Sequence, residues 1–393
     1  KDSTTNKAAE TQTASAENTN QQSEQTESEK ANQLFEDIFM ENVMRSPMYQ
    51  SYLGIKEDQD KWDDISPAAE QEELALQKKH LEQVKSIDES KLNEQTKISW
   101  MLMKQSLEND IADFKWRHHN YPVNQMFGLH SRVASLLINQ HGIGSVDDAE
   151  DYIARLNGLP GLFEQLAENL ELRAEKGIMA PKFVYPYVIS DSKNIITGAP
   201  FDDGEPSALW DDFTSKVEQL ELEESQREEL LAAAEKAMLE SVKPAYQGLI
   251  TAVEGIAEQA TTKDGAWKFP DGEAFYNNAL QRTTTTDLTA EEIHEIGLSE
   301  MERIHNEMRA IMKKVGFTGT LQEFFVHMRN NEEFIYPNTE EGRQQYLDEA
   351  TAIIDDMRER LDDLFITKPK ADLIVKAVEP FREKSAGKAF YQQ

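Results

Sequence analysis

From Leu34 onward, apolar side chains return at intervals of three and four residues, and this periodicity most narrows what the chain can fold into. Residues so spaced share one face of a helix, and each face has to be buried against another. Leu34, Phe35, Ile38, Phe39 and Val43 form the first stripe, which Pro47 stops. Ser66-Pro67 then supplies a capping serine and a proline at the first helical position, opening a run through Leu74, Leu81 and Val84. Leu92 to Trp116 is expected to turn Ile98, Met101, Leu102, Ile111 and Phe114 inward. A further helix is expected from about Val123 to Asn139, before the break at Gly142 and Gly144. Ser145 caps the next one, which should end near Asn157-Gly158. Pro160 should start another, terminated by Gly177.

Turn formers from Ile189 to Glu205 predict a loop. Long acidic helices are expected over Ser207 to Lys243 and Pro244 to Ala260, followed by a polar loop, Thr261 to Gly272. Trp267, Phe269 and Pro270 would pin that loop to the core. Thr289 and Glu292 make a capping box. Behind it, Ile293, Met301, Ile304, Met308, Ile311 and Val315 predict a buried stripe ending at Gly316, with Gly297 admitting another backbone. Two more helices are expected over Phe324 to His327 and Tyr346 to Phe365. After Pro369 the period changes, and Ala371 to Glu379 is short, β-branched and alternating. The expected fold is therefore mainly α, a large multi-helix array with a short β strand or hairpin near the C-terminus. A lone strand needs a partner from elsewhere, so the chain reads as the front part of a longer protein. Residues 1–31 carry no large apolar side chain and read as a disordered polar tether, leaving 32–393 as one incomplete helical domain.

The chain has 73 acidic and 41 basic residues, a formal charge of -32. This argues against a nucleic-acid partner, which needs a basic footprint, and it repels anionic lipid head groups. Cysteine is absent, which excludes disulfides, thiolate zinc sites and a cysteine nucleophile. No continuous apolar run approaches a membrane span.

His294-Glu295 opens like the His-Glu-x-x-His signature, in which two imidazoles four residues apart hold one zinc ion. The next histidine here is His305, about 16 Å further along the helix axis, too far to share that ion. None of the other histidines makes a local pair at four-residue spacing. His118-His119 is most simply explained by a helix dipole. His130 and Arg132 could face a cleft in which Arg132 clamps a carboxylate; they could equally be solvated or paired to one of the many acids. Arg382 and Tyr391 have similar standing as substrate-cleft candidates. No phosphate loop, dinucleotide fingerprint or nucleophile elbow occurs, and Asp202-Asp203-Gly204-Glu205 matches a calcium loop only in composition. The residues alone identify no catalytic site.

Three phrases carry a resemblance. YNNALQRTTTTDLTAEEIHEIGLSEMERI (276–304), NQMFGLHSRVASLLINQH (124–141) and VEPFREKSAGKAFYQQ (378–393) resemble the bacterial family called domain of unknown function 885, in order from about Leu34 to the end. The resemblance implies an exported protein, periplasmic or tethered at the outer membrane as a lipoprotein, with the polar N-terminus following a lipidated cysteine. It also implies similarity to helical zinc peptidases, with a His-Glu pair followed by Pro-Gly-His-His and a later Glu-Gly-Trp phrase. Neither phrase occurs in this sequence, so no metal ligand and no catalytic residue is carried over. Zinc is implied for the full-length protein alone. The implied partners are a peptide substrate, the missing C-terminal part of the same protein, and a membrane reached only through an upstream lipid anchor. The leading expectation is a cleft-forming helical part of a zinc-dependent peptidase-like protein. The rival is a non-catalytic helical binding or scaffold lipoprotein.

Overall fold

Short polar side chains set most of the helix starts in the computed structural model, which describes residues 25–378, 387 and 389–391. In chain order the helices are α1 (Glu27–Met44), α2 (Pro47–Tyr52), α3 (Pro67–Lys85), α4 (Glu94–Asp113), α5 (Leu129–Gln140), α6 (Val146–Glu175) and α7 (Tyr185–Ile195). They continue as α8 (Ala208–Glu218), α9 (Glu224–Ala237), α10 (Lys243–Gln259), α11 (Gly272–Thr284), α12 (Ala290–Lys314), α13 (Leu321–Asn330) and α14 (Glu340–Arg360). Ser46, Asn93, Ser145 and Ser207 each accept a backbone N–H of the turn they open. Thr289 with Glu292 and Thr320 with Glu323 form full capping boxes.

The fold is mainly α, but the expected C-terminal strand or hairpin is not there. Residues 371–378 have no ladder, and Glu379 lies outside the described residues. Only isolated bridges, Val123 with Gly128 and Ala199 with Pro206, occur among the described residues. Alternation favours a strand only when a neighbour receives its backbone groups; without one, solvated irregular chain is the cheaper state. Leu373 and Ile374 are exposed accordingly.

The helical part falls into two compact units. Among the described residues, the first takes in 25–44 and Gln71–Phe114, and the second takes in Arg45–Glu70 and those from Lys115 onward. Helix α1 begins at Glu27, inside the stretch expected to be tether; residues 1–24 lie outside the described residues.

In the first unit Ile38, Leu81, Val84, Trp100 and Leu107 make the core. The Trp100 indole donates to the Val84 carbonyl at 2.8 Å. The face of α4 differs in part from the one expected: Ile111 packs against this core, but Ile98, Met101 and Leu102 are exposed. Two apolar stripes compete on this helix. The one that buries the large Trp100 ring and satisfies its N–H wins.

The second unit is built on α6, against which α9 and α10 pack, with α7 against α10 and α5 against α7 and α8. Helix α6 runs unbroken from Val146 to Glu175 with Pro160 inside it, where the sequence suggested two helices. Proline removes one helical hydrogen bond. Burial of Leu156, Leu159, Leu162, Phe163 and Leu166 on both sides of it keeps the axis continuous. Helices α9 and α10 are likewise one run, joined by a π turn, Met238–Val242, just ahead of Pro244, which has no N–H to give. Helix α5 starts later than expected because Asn124 accepts from the Met126 and Phe127 N–H groups, both at 2.8 Å, and folds that stretch into a turn. Gly128 follows at φ 156, and a Cβ there would meet the His130 ring at 2.6 Å.

The stripe expected to be buried on α12 is mostly bare. Met301, Ile304, Ile311 and Val315 are exposed, and Met312 alone is buried on this helix. On α14, Tyr346, Ile353 and Met357 are exposed as well. No helix among the described residues is long and apolar enough to cross a membrane.

Candidate functional site

A polar cluster of the second unit surrounds Arg155, a fully buried cation on α6. Its Nε donates to the Lys61 carbonyl at 2.9 Å, and its Nη2 donates to the Pro47 carbonyl at 3.1 Å and to Ser51 Oγ at 2.8 Å. Nη1 lies 3.2 Å from Nδ1 of His141. A guanidinium only donates, so Nδ1 accepts and Nε2 bears the hydrogen, which goes to the Asp148 carbonyl at 3.0 Å. Burial pushes His141 down to about 4, helped by the Arg155 and Lys216 charges, so the ring is neutral at pH 7. Burial also draws Arg155 down to about 10, leaving it a cation.

Two ion pairs adjoin this cluster. Burial works against the Asp148 charge, but Lys56 at 2.7 Å and the Gly144 N–H at 2.9 Å hold its carboxyl below the usual range. Lys216 reaches the carbonyls of Leu137, Ile138 and His141 at 2.9 to 3.0 Å, closing the C-terminal end of α5. It also pairs with Asp212 at 2.8 Å, which accepts from the Tyr152 hydroxyl at 3.0 Å. Burial raises Asp212 and lowers Lys216, opposing the pair. All these groups are engaged with one another or with the backbone. The arrangement clamps the segment around Pro47 to Lys61 onto α6 and α5, and it presents no unengaged acid, base or nucleophile.

Sequence reading missed this cluster, although a signal existed. Arg155 stands on the buried stripe of α6 beside Tyr152, Leu156 and Leu159, and a charged residue on such a stripe must find buried partners.

A second cluster is aromatic. The His119 ring lies 5.0 Å from Trp116 and 4.9 Å from Phe275, and Phe269 packs on His119 and Tyr121. Phe269 and Pro270 do pin their loop: Phe269 is buried, and the Pro270 carbonyl lies 3.2 Å from His119 Nε2. Trp267 does not, being 66% exposed. For His118 the governing effect is burial rather than a helix dipole. Together with Arg117, Arg173 and Lys176 it pushes the imidazole down to about 4.

Three of the four cleft candidates, His130, Arg132 and Tyr391, lie among the described residues. His130 is 1% exposed, and its Nδ1 has no hydrogen-bond partner. Burial pushes it down to about 4, and its carbonyl accepts from the Tyr246 hydroxyl at 2.6 Å. Arg132, two residues on, is turned about 200° around α5 and is exposed. Tyr391 is exposed at 71%, and Arg382 lies outside the described residues. His130 is thus a core residue and not a wall of open cleft. Among the described residues no three histidine or carboxylate side chains gather as a metal site, and His294 and His305 stand apart on α12. These residues do not fit the implied zinc, and no catalytic step is assigned to them.

The family described as "Bacterial protein of unknown function (DUF885)" matches residues 47–393. The chain belongs to this family. Among solved structures, this DUF885 chain is similar to a "putative lipoprotein" from Colwellia psychrerythraea, at 21% identity and a TM-score of 0.78, covering 88% of this chain and 62% of that one. It is also similar to a protein from Shewanella oneidensis described in the same two words and as of unknown function. There the identity is 14% and the TM-score 0.57, covering 90% of this chain and 61% of that one. At these identities the likeness is one of fold. The DUF885 chain spans less than two thirds of the length of either structure. No curated protein matches it.

Proposed function

We propose that this chain is the helical, cleft-wall part of a larger exported lipoprotein with zinc-peptidase-like activity, whose metal and catalytic groups come from residues outside these 393. The observation that carries the reading is the length relation. The fold matches 62% and 61% of two longer chains, each named a lipoprotein with the qualifier already quoted. The peptidase element rests on the resemblance of residues 276–304, 124–141 and 378–393 alone. In such a protein zinc supplies a polarised water, and this chain supplies a rigid frame and exposed contacts. In this reading the exposed Arg132 would meet a peptide carboxylate and the exposed Tyr391 would pack on an extended substrate, which their exposure permits.

The test is hydrolysis of a mixed peptide library by the full-length protein, with metal content measured in parallel. Hydrolysis lost with a chelator and restored by zinc supports the reading; hydrolysis unchanged after complete metal removal contradicts the zinc chemistry. A metal-loaded protein inert on every peptide leaves the non-catalytic binding lipoprotein. Partition of the mature protein into detergent tests the lipid anchor, and recovery in the aqueous phase alone counts against it.

A further inference from the structure

The exposed side of α12 is made like an interior. Gly297, Met301, Ile304, Met308, Ile311 and Val315 recur at intervals of four and three, so they lie in one narrow band. From Met301 to Val315 that band is about 21 Å long. Met301, Ile304, Ile311 and Val315 are 52%, 36%, 52% and 63% exposed, whereas a helix finished for solvent would carry polar residues there. The helix does not depend on the band for its ends or its polar side: Thr289 and Glu292 cap it, and Arg303 bridges Glu300 at 2.8 Å and Glu307 at 2.7 Å. At the N-terminal end of the band, a Cβ added to Gly297 would find nothing within 4 Å. This is a notch on an apolar face, the shape that receives a ridge of another helix.

We propose that this band is an intramolecular seam, covered in the full-length protein by an amphipathic helix of the same polypeptide from outside these 393 residues. The proposal rests on the reading that the chain is part of a longer one. The Colwellia protein of the same fold has the material for such a cover, since only 62% of it is matched here. Charge disfavours two other occupants. A second copy brings a further formal charge of -32 against the first, and an anionic lipid surface meets Glu291, Glu292, Glu295, Glu300 and Glu302 on the N-terminal half of the same helix. A helix of the same chain adds no second copy of that charge, and it avoids the translational entropy of association.

The experiment uses the full-length protein with single introduced thiols at Ile304→Cys and Ile311→Cys on the band, and at Ser299→Cys on the opposite side of α12. The present 393 residues contain no cysteine. Maleimide labelling is read by mass spectrometry on the peptide bearing each thiol. The band positions are expected to label at least about tenfold more slowly than position 299, at a rate independent of protein concentration. Equal rates overturn the seam, and protection that fades on dilution assigns the face to a second copy and overturns it equally. Hydrogen exchange on the unsubstituted full-length protein guards against misfolded variants: residues 296–315 are expected to exchange as slowly as α6, and rapid exchange there overturns the proposal. Labelling needs neither metal nor substrate. A protected band in an inert protein defeats only the peptidase reading, and an accessible band in an active one defeats only the seam.

Discussion

At Arg155 a single side chain ties two carbonyls, a hydroxyl and an imidazole to one helix. Arg155→Leu keeps the volume roughly constant but leaves the Pro47 and Lys61 carbonyls and His141 Nδ1 without their donor. The expected loss is about 3–5 kcal/mol of stability, measured by urea denaturation. A loss below about 1 kcal/mol would mean that water replaces the guanidinium without difficulty. The buried histidines make a second prediction. His118, His130 and His141 are held at about 4 against an ordinary 6.5. Between those values the unfolded chain binds protons that the native chain does not. Their contribution is therefore complete above pH 6.5 and falls away as pH drops toward 4. The urea midpoint should decline over that window, and His130→Phe should flatten part of the decline. An unchanged slope would show that His130 takes its proton inside the fold. His130 was legible as a residue of interest but not as a core residue. Its place depends on Gly128 and on the Tyr246 hydroxyl, which lies over a hundred residues away in sequence.

Among the elements, α6 shows what local signals can and cannot say. Gly158 and Pro160 look like a boundary, and the structure overrides them with continuous burial on either side. Gly158 serves packing instead: a Cβ there would sit 3.3 Å from Trp62 Cδ1, whose indole N–H donates to the Arg155 carbonyl at 2.8 Å. Because Pro160 lies inside a formed helix, Pro160→Ala should restore a hydrogen bond and raise stability by about 1–3 kcal/mol, read as an increase in urea midpoint. A decrease would mean that the bend at this proline is needed for packing. The helical period and most caps were legible because they depend on neighbours within four residues. The face of α4, the fate of 371–378 and the exposure of α12 were not, because each is decided by what lies opposite, which periodicity does not encode. The candidate site was less legible still. Arg132 and His130 are two residues apart in sequence but opposed around α5, and the polar cluster that forms in the second unit joins residues about a hundred positions apart.

For the molecule as a whole, a formal charge of -32 means that self-repulsion opposes compaction. Raising sodium chloride from about 20 mM to about 200 mM, which shortens the Debye length well below molecular size, should raise the urea midpoint. A midpoint that falls with salt would mean that pairs such as Lys56–Asp148 outweigh the net repulsion. Division into two units also has an optical consequence. Trp100 in the first unit gives its indole N–H to the Val84 carbonyl, and Trp62 in the second lies with its ring 5.2 Å from the Arg155 guanidinium carbon. Among five tryptophans, these two place a fluorophore in each unit. Chains that keep only one or the other would emit from a single unit. Two red shifts at different denaturant concentrations would resolve the units as successive transitions, and coincident shifts would make them one cooperative body.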